Sequence, residues 1–320
     1  MVFQAPDLAA VRDAAARIAP FATVTPVLRS TALDALAGCE LHFKAEHLQR
    51  GGAFKFRGAL NAVWSLDAEE AARGVVTHSS GNHGTALALA AATRGIAAHV
   101  VVPEGAVAAK LAAIEQAGGI IRRCAPTQAA REAACAELAA ATGATLVHPY
   151  ADPQVIAGQG TVALELLAQV PGLDAIVTPL GGGGLASGLA ITAQALAASV
   201  QVIGAEPAGA DDAARSLAAG RRVEDVVPDT VCDGLRALVG LPNLALLAAH
   251  GVTVLNVEDA ATIAAMRLLW THLKQVVEPS SAIVLAAVLQ HPARFRGRRL
   301  GLVLSGGNVD LDALPWERGR

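Results

Sequence analysis

The sequence has few of the features that mark a secreted, membrane-bound or nucleic-acid-binding chain. Its 320 residues hold four cysteines, Cys39, Cys124, Cys135 and Cys232, far apart and in no CxxC spacing. Thiols scattered in this way read as free side chains in a reducing compartment, not as a disulfide framework. Charged residues make up 17% and the formal net charge is −3. The one basic cluster, Arg296-Gly297-Arg298-Arg299, is too small for a nucleic-acid surface and reads as a helix cap or surface coat. There is no stretch of 18 uninterrupted apolar residues, so no membrane span is expected. The first sixteen residues carry Asp7, Arg12 and Asp13 without an apolar h-region, so no signal peptide is expected. Fixed-period repeats and low-complexity linkers are missing too. The expectation is a soluble, cytoplasmic protein whose partner is neither nucleic acid nor membrane.

Against these absences stands a hydrophobic content of 53%, enough for two domains or one large α/β unit with an inserted lobe. Residues 7–19 read as a helix capped by Asp7. Glu40-Leu41-His42-Phe43-Lys44-Ala45-Glu46 alternates like a strand, and a helical stretch runs from about 57 to 65. From Gly74 short apolar strands and alanine-rich helices alternate. Strands are expected at 75–77, 98–102, 120–124 and 145–147, and helices at 85–94, 107–117 and 127–142, the last closed by Gly143. The alternation resumes with a helix at 158–168, a strand at 174–178, a helix ending near 198 and a strand at 200–205. Further on are a strand at 252–255, helices at 258–272 and 280–289, and a strand at 300–304.

Four loops carry candidate chemistry. In Gly51-Gly52-Ala53-Phe54-Lys55-Phe56-Arg57-Gly58-Ala59 one lysine sits between two aromatics and among glycines. Glycine admits close approach of backbone to a bound group, and apolar rings desolvate an amine and make it nucleophilic. Taken alone, the stretch reads first as a helix start whose lysine stem lies along Phe54 and Phe56. Gly181, Gly182, Gly183 and Gly184 follow an apolar strand and precede a helix, so consecutive amides and a helix N-terminus face one point. Without GK[ST] this is not a nucleotide P-loop. Gly181, Gly183 and Ala186 also fit GxGxxA with Glu206 ending the next strand, which leaves an NAD-dependent dehydrogenase as an alternative. Ser79-Ser80-Gly81-Asn82-His83-Gly84 suits a small anion such as a carboxylate, or serves as a plain helix cap. No GxSxG elbow supports a Ser-His-Asp triad. Ser305-Gly306-Gly307-Asn308 follows a strand, where a serine can meet a ligand in the crevice.

Together with Gly158-Gln159-Gly160-Thr161, these loops resemble the fold-type II pyridoxal-5′-phosphate (PLP) enzymes over essentially the whole chain. Within them the sequence is similar to the serine/threonine dehydratase and serine racemase group, which includes hydroxyaspartate ammonia-lyases. The resemblance implies an α/β fold of two interleaved open parallel-sheet lobes of the tryptophan synthase β-like kind. The large PLP-binding domain would comprise residues 1–69 and 149–320, and the small domain residues 70–148. It implies a homodimer and a small amino acid as substrate.

The resemblance also assigns roles. Lys55 would hold PLP as a Schiff base, Phe54 would pack on its ring, and Gly181, Gly182, Gly183 and Gly184 would cradle its phosphate. Asn82 would bond the ring hydroxyl. Ser305 would face the pyridine nitrogen, and its neutral hydroxyl would disfavour transamination relative to β-elimination. Ser79, Ser80, Asn82 and His83 would hold the substrate carboxylate. The implied reaction is dehydration of serine, threonine or 3-hydroxyaspartate: Lys55 removes the Cα proton, the β-hydroxyl leaves as water, and a 2-keto acid and ammonia result. Ser80 resembles the second catalytic residue of the racemases, which keeps racemisation as the alternative. A non-catalytic amino-acid-binding role is a remote one. Arg131 would meet a second substrate carboxylate, or form a surface ion pair. Glu206, Ala210 and Asp212 resemble a Mg²⁺ or Mn²⁺ (or Ca²⁺) loop, while an acidic helix cap explains the same residues. Two departures stand out: Ala53 replaces the usual serine, and Tyr150 stands where asparagine is frequent. The chain's end at Arg320 leaves no expected regulatory domain.

Overall fold

Short β-rich runs closed by glycine, proline or a polar turn fold as ten strands in the computed structural model, which describes residues 3–316. The outermost residues of the expected large domain, 1–2 and 317–320, lie outside the described residues. The strands are β1 (Val27–Leu28), β2 (Glu40–Lys44), β3 (Val75–His78), β4 (Ala98–Pro103), β5 (Ile120–Cys124), β6 (Thr145–Leu146), β7 (Ala175–Pro179), β8 (Gln201–Pro207), β9 (Thr253–Val257) and β10 (Arg299–Val303). They form a six-stranded sheet of order β1-β2-β10-β7-β8-β9 and a four-stranded sheet of order β5-β4-β3-β6. Among the strands of the described residues only β1 and β2 pair antiparallel, and an isolated antiparallel bridge joins Ala53 to Gly306. The chain leaves the larger sheet after β2, builds the smaller one, and returns at β7. This is the expected α/β class with parallel sheets, each strand followed by a crossover.

The larger sheet is covered on both faces, as a parallel sheet requires. Ala175 and Val177 of β7 pack with the helices Asp259–His272 and Pro279–Gln290, while Ile176 between them joins the cluster of Pro153–Gln169 and Gly184–Leu196. Successive strand side chains point to opposite faces, which is why neighbouring residues feed different clusters. Each buried Leu, Ile or Val contributes about 1.5–3 kcal/mol.

Glycines bring three helices to backbone contact. A Cβ on Gly158 would lie 2.6 Å from Cα of Gly58, and one on Gly188 would lie 2.6 Å from the nitrogen of Gly160. The helix Lys55–Ser65 and the helix Gly184–Leu196 therefore both dock on Pro153–Gln169. One helix thus sets the position of both the lysine and the glycine run.

Several boundaries differ from the sequence reading. The helix expected from 158 starts at Pro153, because Oδ1 of Asp152 caps the amides of Gln154 and Val155 and proline suits the first turn. The helix expected from 85 starts at Asn82, so Asn82, His83 and Gly84 are its first turn and not loop. Helices Thr31–Ala37, Ala68–Ala72 and Leu241–Ala249 are additions to that reading. In the basic cluster Arg296 is the C-cap of the helix Pro292–Phe295, its amide donating to the Pro292 carbonyl, while Arg299 opens β10, its amide donating to Asp174 and its guanidinium to Glu40 and to the Pro171 carbonyl. All four cysteines are free, and Cys39, Cys135 and Cys232 are buried. Among the described residues no helix is long and apolar enough to cross a membrane.

Candidate active site

The strand ends of both sheets open on one cavity of about 860 Å³. The loops after β3, β7 and β10 meet there, in the crevice outside the carboxyl ends of parallel strands where α/β proteins bind ligands. Phe54, Lys55, Ser79, Ser80, Asn82, His83, Arg131, Ser305 and all four glycines 181–184 line it. The structure therefore brings together every cofactor- and substrate-directed residue expected from the sequence. Glu206, Ala210 and Asp212 do not line it.

Lys55 opens its helix directly after a loop tied to the β10 end. The Phe54 amide donates to the Ser305 carbonyl at 3.0 Å, and the Gly307 amide to the Gly52 carbonyl at 2.9 Å. The Lys55 ammonium donates to the Pro149 carbonyl at 2.9 Å and lies 5.1 Å from the Phe54 ring centre. Neither partner is anionic, so burial lowers its pKa to about 8. A lysine in this state is a competent nucleophile and base near neutrality.

Two residues on, Arg57 locks the helix in place. Its guanidinium bonds Glu46 and Glu165, and Lys44 donates to Glu165 at 2.6 Å. The charge is balanced and buried, so it fixes the helix without a net field at the site.

The glycine run is crowded from outside. A Cβ on Gly182 would lie 2.5 Å from the ring of Tyr150, and one on Gly181 would lie 2.9 Å from Cα of Leu235. Gly183 has φ +92°, a conformation that glycine tolerates and most residues do not. Among the described residues no carbonyl outside the helix accepts from the amides of Gly181, Gly182 or Gly183. Those amides and the N-terminus of Gly184–Leu196 open on the cavity and suit a dianionic phosphate. A desolvated lysine and an amide nest opening on one cavity fit pyridoxal phosphate.

On the facing side Ser79 and Ser80 are partly exposed, and the Ser79 hydroxyl accepts from the Gly81 amide at 3.4 Å. His83 is 2% exposed, with its Nε2 3.3 Å from the Val147 carbonyl and its Nδ1 buried without a partner. Burial holds its pKa well below the usual value, with Lys55 adding to the shift. Its ring is thus neutral and committed to Val147, which leaves its backbone amide for an anion. His148 is pushed down to about 4, again by burial first and then by His78 and Lys55, and its Nδ1 accepts from the Ala151 amide at 3.0 Å. Arg131 reaches the cavity from the helix Gln128–Thr142.

Sequence reasoning misses, among other lining residues, Glu278, Lys110 and Asp233. Glu278 accepts from Asn82, and Lys110 and Asp233, both on the cavity wall, form an ion pair. A glutamate before Pro279 looks like an ordinary helix cap, so nothing local marks it.

Glu206 lies near the end of β8 and Asp212 opens the helix Asp212–Ala219; both are buried, with Ala210 on the turn between them. The Glu206 carboxylate accepts from the amides of Ala213 and Ala214, and Asp212 from the Val239 amide. Burial raises Glu206 to about 8, and the Asp212 charge adds to this. Among the described residues no group of three or more His, Cys, Asp or Glu side chains is placed to hold a metal. Two carboxylates and a carbonyl fit a hard cation only if water completes the shell.

Residues 18–306 match the family described as pyridoxal-phosphate dependent enzyme, and the chain belongs to that family. It is 50% identical over 302 residues to the beta-hydroxyaspartate dehydratase of Paracoccus denitrificans, covering 94% of this chain and 95% of that protein. The maize serine racemase structure superposes with a TM-score of 0.95 at 45% identity, covering 98% of this chain and 97% of that one. The serine racemase of Dictyostelium discoideum superposes at 0.91 with 45% identity, covering 95% and 99%. A threonine deaminase structure superposes at 0.91 as well, with 44% identity, covering 96% and 99%. These likenesses displace the NAD-dehydrogenase alternative.

Proposed function

We propose that this chain is a PLP-dependent ammonia-lyase acting on a small L-β-hydroxy amino acid: serine, threonine or 3-hydroxyaspartate. The observation that carries the reading is the Lys55 amine, desolvated to a pKa of about 8 in the same cavity as the glycine amides. When bound, the cofactor supplies the electron sink for a carbanion at Cα. Lys55 would hold it and would serve as the base that takes the Cα proton. Phe54 would flank its ring, Asn82 would meet its ring oxygen, and Ser305 would present a neutral hydroxyl to its ring nitrogen. The amides of Gly181, Gly182, Gly183 and Gly184 would hold its phosphate. Ser79, Ser80, Asn82 and the His83 amide hold the substrate carboxylate. The β-hydroxyl leaves as water, and the released enamine hydrolyses to a 2-keto acid and ammonia.

Arg131 favours 3-hydroxyaspartate within this class, since it offers the cavity a guanidinium for a second carboxylate. The likeness to a beta-hydroxyaspartate dehydratase supports the same choice. Racemisation is the second reading, supported by Ser80 on the cavity wall and by the likeness to serine racemase. Glu206, Ala210 and Asp212 are assigned to a structural Mg²⁺ or Mn²⁺ with water completing the shell. Residues 1–69 with 149–320 are taken as the larger domain and 70–148 as the smaller, in a cytoplasmic homodimer.

The test is a kcat/KM panel over serine, threonine and both 3-hydroxyaspartate diastereomers, reading ammonia and keto acid. Lys55→Ala should abolish turnover while the fold persists. If PLP-loaded protein releases ammonia from none of the four, the lyase reading fails. Ser80→Ala should remove deuterium exchange into the D-amino acid and leave elimination in part.

A further inference from the structure

Glu278 is a buried acid that the reaction above leaves without a task. It is the N-cap of the helix Pro279–Gln290, where an acidic side chain ordinarily accepts the first free amides, yet it makes no such bond. Its side chain turns to the cavity wall, and its two oxygens lie 3.0 and 3.2 Å from Nδ2 of Asn82. Asn82 belongs to the helix that follows β3 of the other sheet. On its other side the Asn82 oxygen accepts from Nδ2 of Asn308 at 3.0 Å, and that same nitrogen donates to the Gly51 carbonyl at 2.9 Å. One amide therefore joins the loops of both sheets to the loop that carries Lys55.

The arrangement leaves the Asn82 amide one orientation. An ionised carboxylate only accepts, so it selects the nitrogen, and Asn308 takes the oxygen. One N–H of Asn82 shared between the two Glu278 oxygens leaves the second for the cavity. Gly306 makes the room: a Cβ there would lie 2.7 Å from Oε1 of Glu278 and 3.1 Å from Nδ2 of Asn82.

We propose that Glu278 is a positioning residue of the cofactor site, holding the Asn82 amide so that an N–H faces the ring oxygen of pyridoxal phosphate. This rests on the PLP reading of the cavity. Protonation of Glu278 releases the constraint, because a carboxylic acid can donate to an amide oxygen as well as accept from its nitrogen. The acid titrates in the working range: burial raises its pKa to about 7, Asp233 adds to the rise, and Asn82, Lys110 and the Asn308 backbone oppose it. Since the folded pKa lies above the usual carboxylate value, Glu278 is ionised and holds Asn82 above about pH 7. That hold is lost as pH falls through 7.

The experiment compares PLP dissociation constants of wild type and Glu278→Gln, full length, from pH 6 to 8.5. Both share the titration of Lys55, so the ratio isolates position 278. At pH 8 the variant should bind PLP about three- to tenfold more weakly, one hydrogen bond's worth, with a shifted absorption maximum of the bound cofactor. At pH 6 the two should converge. A ratio of one throughout, or one that does not change with pH, overturns the proposal. Should Glu278→Gln not fold, Glu278→Asp decides: it keeps the charge and loses the reach, so a purely electrostatic role predicts wild-type affinity and a positioning role predicts the loss. Wild type that binds no PLP at all refutes the cofactor reading itself, a different outcome from an unchanged ratio.

Discussion

Arg57→Met tests whether the buried ion network sets the lysine. The Arg57 guanidinium lies 2.7 and 2.8 Å from the Glu46 oxygens and 2.6 and 2.9 Å from those of Glu165. Side-chain exposure is 1% for Arg57, 0% for Lys44 and Glu46, and 19% for Glu165, so water screens little of it. Methionine fills a similar length but leaves Glu46 with the Thr25 hydroxyl, at 2.6 Å, as its one side-chain partner. Breaking a buried pair in this way costs about 3–5 kcal/mol. At about 2.1 cal/mol/K per residue, 320 residues give a melting entropy near 0.7 kcal/mol/K, so Tm should fall by roughly 4–8 °C. Adding Glu46→Gln removes the orphan charge and should recover at least half of the loss. Arg57→Lys should fall between, keeping the charge without the planar fork. Thermal unfolding by circular dichroism and the absorbance of bound PLP are read together, because the helix start that carries Lys55 should loosen as well. An unchanged Tm, or a double variant whose losses simply add, would refute the coupling.

The other perturbations act nearer the cavity. The rate at which apoprotein captures PLP should rise with pH through about 8, since only the neutral Lys55 amine attacks; a midpoint at the free-lysine value would contradict its burial. EDTA should lower both Tm and activity, and Mn²⁺ or Mg²⁺ should restore them; full retention of both would leave Glu206 and Asp212 as a capped acidic turn. Lys110 and Asp233 are 36% and 41% exposed, so their bond on the cavity wall is weak in itself. Lys110→Glu should still lower kcat/KM by about three- to tenfold through repulsion, and the swap Lys110→Asp with Asp233→Lys should return most of it. A swap no better than the single change would show that the two charges do not act as a pair.

The strands are legible because each is a short apolar run with a turn on either side, and parallel strands buried on both faces need no polar alternation. The long helix ends are legible where glycine closes them, as at Gly143, whose φ is +73°. Starts are harder. Asp152-Pro153 is a complete start signal, cap and first-turn proline together, and it lies five residues before the periodic glycines that draw the reading to 158. At Asn82 the signal misleads: Ser79 and Ser80 look like caps, while the observed cap is Gly81 with no side-chain bond. The unforeseen Thr31–Ala37 spans barely two turns, too few for periodicity to register, although Ser30 and Gly38 bracket it.

For the site, what the sequence shows is loops, and what it hides is pairing. Lys55, the serine loop, the glycine run and Ser305 each lie in one short segment, so chemistry and spacing are read together. Glu278 and Asn82 are 196 residues apart, and Lys110 and Asp233 are 123 apart. Nothing local announces such partners. The glycines carry a further lesson. Those at 181–184 read as ligand contacts, yet Tyr150 and Leu235 crowd Gly181, Gly182 and Gly184 so closely that packing alone would demand them. Gly158 and Gly160 do not line the cavity, and they let one helix touch both the lysine helix and the helix behind the glycine run. A motif can therefore mark a family without lining its cavity, because the distance between Lys55 and the glycine run is fixed by backbone contact beneath them. The chemistry of this fold rests on that spacing as much as on the residues that line the cavity.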